Sequence, residues 1–166
     1  MSEPFEYICH VRTPDGERYY VTLLPPELIR SQGLAPEAIL GVLSRPLGPG
    51  ERITSDIFSR NSVFVDFLHE VIARHAPGQP ALQVEAKRLG NGWVYVIDRR
   101  TRDPQRGVPP EDILGAFEVK DRAVVAASYR RSPNHRILSA DGFFQLEPEL
   151  RQCLMEELKA RNTMAK

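Results

Sequence analysis

Residues 82–98, LQVEAKRLGNGWVYVID, decide how the fold is read. Leu82, Val84 and Ala86 alternate with Gln83, Glu85 and Lys87, the period of a strand with one face buried. Gly90-Asn91-Gly92 then supplies turn chemistry. The run Trp93-Val94-Tyr95-Val96-Ile97 is apolar on both sides, the pattern of a central strand covered on both faces. Further on, Ile113–Val119 and Ala123–Tyr129 are expected to form a hairpin around Lys120-Asp121-Arg122, with Gly115 marking a bulge or a close backbone approach. On this reading no helix lies between Leu82 and Tyr129. A doubly wound parallel sheet needs helices between its strands, so the pattern points to antiparallel pairing instead.

Working outward, Phe5 to Arg12 alternates in the same way, Thr13-Pro14-Asp15-Gly16 turns the chain, and Arg18 to Leu24 completes an N-terminal hairpin. Short helices are expected from Pro26 through Ser31, closed by Gly33, and from Pro36 to Leu43. Arg45-Pro46-Leu47-Gly48-Pro49-Gly50 opens an irregular connection. From Asn61 to His75, Val63, Phe64, Phe67, Leu68, Val71 and Ile72 recur at helical spacing, with Asp66, His69, Glu70 and Arg74 on the other side and Asn61 or Ser62 as cap. A final helix begins at Pro148, flanked by Glu147 and Glu149, and buries Leu150, Cys153, Leu154 and Leu158; Asn162 to Lys166 are expected to fray. The prediction is an α+β fold: an antiparallel β-meander with an N-terminal hairpin, helices packed on one face and a C-terminal helix. Residues 1–166 are read as a single domain, with an internal boundary, if there is one, near Pro77-Gly78-Gln79-Pro80.

At 166 residues, 42% hydrophobic and 27% charged, the chain has enough apolar surface to bury a core. Its 22 basic and 22 acidic residues cancel, which gives no overall electrostatic footprint for nucleic acid or an anionic membrane. No apolar run approaches the ~20 residues of a membrane-spanning helix. The two cysteines, Cys9 and Cys153, form no CxxC pair and are too few for a disulfide framework, and the first residues lack a signal-peptide profile; a cytoplasmic protein is expected.

Reactive side chains concentrate between Asp98 and Asp141, at strand ends and in loops where a rigid sheet can hold them. The histidines and cysteines show no HxxxH, HxH, HExxH or CxxC spacing, so neither a metal nor another cofactor is expected. There is no GxSxG elbow, and Cys9 and His10 are neighbours on a strand, which sends their side chains to opposite faces. Asp98 followed by Glu118-Val119-Lys120 loosely resembles the PD-(D/E)xK nuclease pattern, in which two acids hold a divalent ion and the lysine helps position the attacking water. The same E-x-K spacing recurs at Glu85-Ala86-Lys87 and Glu157-Leu158-Lys159, and no Pro-Asp precedes the first acid, so that reading is not adopted.

Asp98, Arg99, Arg100, Tyr129, Asn134, His135 and Arg136 remain as the candidate ligand or partner surface. If the loops after Ile97 and Tyr129 converge, Asp98 can orient His135 while arginines hold an anionic ligand. Otherwise these residues make ordinary ion pairs and turns. The absence of a catalytic motif favours a non-enzymatic interaction or regulatory module, with a protein partner or self-association through the Arg99–Pro110 loop and an exposed Phe143 or Phe144. The alternative is a small-molecule-binding protein or enzyme acting on an anionic ligand at the polar site after the Trp93 strand.

Overall fold

The computed structural model describes residues 5–164. In chain order it contains strands β1 (Tyr7–Thr13) and β2 (Gly16–Thr22), helix α1 (Pro26–Gln32), strands β3 (Ile39–Leu43) and β4 (Phe58–Arg60), and helices α2 (Ser62–His75) and α3 (Pro80–Leu89). Strands β5 (Gly92–Ile97), β6 (Ile113–Lys120), β7 (Ala123–Val124), β8 (Arg130–Arg131), β9 (Leu138–Ser139) and β10 (Gly142–Phe143) follow, and helix α4 (Pro148–Met164) ends the described chain. All strand pairings are antiparallel, which makes the fold α+β. The chain divides into two units, one of residues 1–68 and 154–166 and the other of residues 69–153; the division passes through α2 and α4, and Pro77–Pro80 lies inside the second unit.

In the first unit, β1 to β4 form a meander in sequence order. Pro14 and Asp15 are the two loop residues of the β1–β2 hairpin, and Gly16 closes it at a φ of 123°, a torsion that only glycine adopts without strain. Pro36 starts only one turn of 3-10 helix, Pro36–Ala38, after which Ile39–Leu43 pairs with β2. The expected helix is therefore short because Ile39, Leu40, Val42 and Leu43 have better partners in the sheet. Asn61 caps α2, its side-chain oxygen accepting from the Val63 amide at 3.3 Å, while its amide nitrogen donates to the carbonyls of Pro36 and Ile39, each at 2.8 Å. Phe64, Leu68, Val21, Leu24, Leu40, Leu154 and Leu158 are fully buried, each contributing about 1.5–3 kcal/mol through removal from water. Asn162 is buried as well: its Oδ1 accepts from the Ala35 amide at 2.7 Å and its Nδ2 donates to the Gly33 carbonyl at 3.0 Å. The end of α4 is thus anchored where fraying was expected. For Ala165 and Lys166 that expectation lies outside the described residues.

In the second unit, β5 pairs with β6, and both β7 and β8 pair with β6 further along. Residues 82–87 are helical, not extended. Leu82 and Ala86 are buried four residues apart, whereas Val84 between them is 64% exposed. Pro80 opens this helix, Lys87 and Arg88 complement the dipole in its last turn, and Gly90 follows with a positive φ of 84°. A helix therefore does lie between Leu82 and Tyr129. Strand β5 is an edge strand, with β6 on one side and no other strand beside it among the described residues. Val94 and Val96 are buried, but Trp93 is 37% and Tyr95 55% exposed, so only one face is covered. The Arg130 guanidinium lies 5.0 Å from the Trp93 ring and shields it in part. Phe144 is buried and Phe143 half-buried, so neither is an exposed aromatic of the kind expected.

Candidate functional site

Strand β5 ends at Ile97, and the next residue turns inward. The Asp98 amide donates to the Asp112 carbonyl at 2.7 Å, while the Thr101 amide donates back to the Asp98 carbonyl at 3.2 Å, closing a tight turn. This turn sends alternate residues to different places. Asp98 and Arg100 are buried, Thr101 is half-buried, and Arg99 and Arg102 are exposed.

Asp98 and His135 converge: His135 Nε2 lies 2.9 Å from Asp98 Oδ2, and both side chains are almost wholly shut off from solvent. Arg100 Nη2 reaches the same oxygen at 3.0 Å. Asp98 Oδ1 accepts from the amides of Arg100 and Gln145, each at 3.0 Å. Three hydrogen bonds and the Arg100 ion pair thus engage both oxygens of this carboxylate from within the protein. Burial pushes the Asp98 carboxyl towards protonation, but the His135 hydrogen bond, the two backbone amides and the Arg100 charge together outweigh it and hold the group below the usual carboxylate range.

Arg100, expected as one of a set of surface cations, is the hub of this network. Its Nη1 donates to Ser139 Oγ and to the Gly142 carbonyl, both at 2.9 Å, which ties it to β9 and β10. Its Nη2 donates to the carbonyls of Arg136 at 2.6 Å and Glu111 at 3.2 Å. Its Nε faces Asp112 Oδ1 at 3.4 Å, a charge contact in which neither atom has the alignment of a hydrogen bond. The other Asp112 oxygen accepts from Thr101 Oγ1 at 2.6 Å. One guanidinium fork therefore joins the loop after β5, the segment before β6 and the segment from His135 to Gly142, a role that suits arginine because its donors diverge in one plane.

The remaining candidates do not join this centre. Tyr129 stands beside His69, its hydroxyl 2.7 Å from His69 Nδ1 and 3.3 Å from the Leu114 carbonyl oxygen, with its ring packed against Phe117. Burial pushes this phenol above its ordinary range despite the opposing Arg131 charge, so it stays a neutral hydroxyl. His69, expected on the polar side of its helix, is buried. Asn134 is exposed and its amide donates to Ser132 Oγ at 3.3 Å, a local turn. Arg136 contributes its backbone to the network, while the residue itself is exposed. Arg99 points away from the buried centre and pairs with Glu147 at 2.6 Å.

Arg99, Arg102, Thr101 and the edge of Asp98 instead border a cleft of about 490 Å³, within the range of small-molecule sites. Leu82, Tyr95, Val96, Ile97 and Leu150 supply apolar walls, and Gln79, Glu85 and Glu147 complete the polar lining. The side of this cleft contributed by α3 is absent from the sequence reading, because residues 82–87 were expected in a strand. Among the described residues, no group of three or more His, Cys, Asp or Glu side chains is placed to hold a metal ion, and no helix is long and apolar enough to cross a membrane. Comparison with protein-family models gives no match, and no curated protein or solved structure matches the chain.

Proposed function

We propose that the chain is a non-catalytic interaction module whose working surface is the edge of β5 and the cleft beside it. The observation that carries this reading is the state of the Asp98–His135 pair. A general base needs acceptor capacity and access to a reacting proton; Asp98 is shut off from solvent with its oxygens engaged by three hydrogen bonds and the Arg100 ion pair, and His135 is sealed beside it. What remains accessible after β5 is binding chemistry: the Tyr95 ring, the Arg99 and Arg102 guanidinium groups and an apolar floor.

The experiment is a titration of the isotope-labelled protein with a panel of aromatic and aliphatic fragments of either charge, followed by NMR, in wild type and in a folded His135→Gln variant. The expected result is saturable shifts centred on Tyr95, Ile97 and Arg102 that survive the His135 substitution. Shifts centred on His135, or cleft binding lost in a variant that keeps its fold, would overturn the reading.

A second reading rests on Trp93 and Tyr95, whose exposed rings lie on an edge strand that offers backbone donors and acceptors for strand addition. Self-association through β5 would raise the mass in light scattering with concentration, and Tyr95→Lys would abolish that rise. A concentration-independent monomer would count against it.

A further inference from the structure

Resting on the reading of the β5 cleft as a binding surface, we infer that its ligand is a small organic carboxylate with an aromatic or branched apolar body. Charge matching within the cleft leads there. Five residues with charged side chains border it: Glu85, Asp98, Arg99, Arg102 and Glu147. Four of them are already neutralised. Glu85 pairs with Arg88 at 2.7 Å, Arg99 with Glu147 at 2.6 Å, and Asp98 is enclosed by Arg100 and His135. Arg102 has no ionic or hydrogen-bonding partner among the described residues, so one unmatched positive charge stands at the rim.

The backbone that carries that charge is held from beneath. Arg102 follows directly on the turn in which Asp98, Arg100 and Thr101 are tied down by hydrogen bonds to Asp112, Ser139 and the Gly142 carbonyl. The planar guanidinium fork matches a planar, two-oxygen acceptor and loses less freedom per hydrogen bond than an ammonium would. A carboxylate is such an acceptor and carries the single charge that Arg102 leaves unbalanced. Phosphate esters carry more charge than one guanidinium balances.

The rest of the cleft selects the body of the ligand. Leu82, Val96, Ile97 and Leu150 form a floor of aliphatic carbon, and the exposed Tyr95 ring offers a face for stacking. Gln79 adds an amide for one further polar group. A carboxylate on a short linker from a ring or branched chain satisfies these elements together, with Arg102 on the acid and the aliphatic floor under the body.

The test uses 3-phenylpropionate and its neutral amide as probes, followed by NMR titration of the full chain in wild type and in Arg102→Gln, which changes an exposed side chain. The acid should shift the Tyr95 to Arg102 resonances saturably, the amide should bind about tenfold more weakly, and Arg102→Gln should remove the difference between them. Equal binding of acid and amide in wild type, or an unchanged preference in Arg102→Gln, would overturn the carboxylate inference and leave the binding surface intact. Failure of both probes and of the wider fragment panel to perturb the cleft would overturn the inference and the binding reading together.

Discussion

His135 Nε2 and Asp98 Oδ2 meet at 2.9 Å inside the second unit, thirty-seven residues apart in the chain, and neither is open to solvent. An acid oriented towards a histidine is a familiar device of catalysis, yet here the same acid carboxylate also holds Arg100 and two backbone amides. The pair works as part of a fastener for three loops, and the accessible chemistry lies on the outer residues of the turn it holds.

Removing one member of such a network leaves its partners buried with polar atoms unmatched. Asp98→Ala strips the nearer of two counter-charges from Arg100, leaving Asp112, and the acceptor from His135, and should lower unfolding stability by about 3–5 kcal/mol in denaturant titrations. A loss below about 1 kcal/mol would mean that the network contributes little to holding the loops.

Acid should weaken the same fastener. Because the folded-state carboxyl of Asp98 lies below its unfolded value, its contribution is complete above about pH 5 and is lost as pH falls through about 4 towards the folded value. Glu51, held at about 2 by Arg45, and Glu85, lowered by Arg88, titrate in the same window, so the wild type must be compared with Asp98→Asn. The stability difference between the two proteins should be flat above about pH 5 and shrink below about pH 4. A difference independent of pH down to about 2 would contradict the assigned direction.

Gly115 illustrates a close approach that the sequence flagged and the structure explains. A Cβ at this position would lie 2.5 Å from the Tyr129 ring and hydroxyl, and that ring is itself braced by Phe117 and His69. Gly115→Ala should cost about 1–3 kcal/mol by overpacking. In a double-mutant cycle with Tyr129→Ala most of that cost should vanish, giving a coupling energy of about 1 kcal/mol or more. Additive effects would show that the ring is free to move aside.

Much of the architecture is legible from hydropathy. The β1–β2 hairpin, α2 and the start of α4 follow from alternation, helical spacing and proline or glycine punctuation. Residues 82–87 mislead because positions four apart share a face in both a strand and a helix: Leu82 and Ala86 fit either, and only the exposure of Val84 separates the two. The signals for a helix were present in Pro80, the basic pair Lys87 and Arg88, and Gly90. The apolar run from Trp93 to Ile97 suggests burial on both faces because aromatic residues favour strands even where they remain exposed. At the site, the sequence names Asp98 and His135, but their convergence depends on long-range folding. Nothing local marks Arg100 as the buried member of an otherwise exposed basic cluster. Ser139 and the Gly142 carbonyl go unrecognised for the same reason.

Asn162 is a further case in which a polar residue near a chain end is structural. Its two bonds to the backbone of Ala35 and Gly33 have no solvent to replace them, so Asn162→Ala should cost about 1–3 kcal/mol and speed proteolysis of the C-terminal helix. Unchanged stability and cleavage would place this contact among dispensable ones.

The most direct measurement is residue-resolved carbethoxylation of the histidines by diethyl pyrocarbonate under native conditions, read by mass spectrometry. His10 has a side chain 46% exposed beside Glu17 and serves as the reactive reference. With the Asp98–His135 pair as a sealed scaffold, His135 should be modified at least about a hundredfold more slowly than His10 and should gain reactivity only as the protein unfolds. Modification of His135 at a rate comparable to His10 would show an accessible imidazole, and would return the pair to the role of a chemical site.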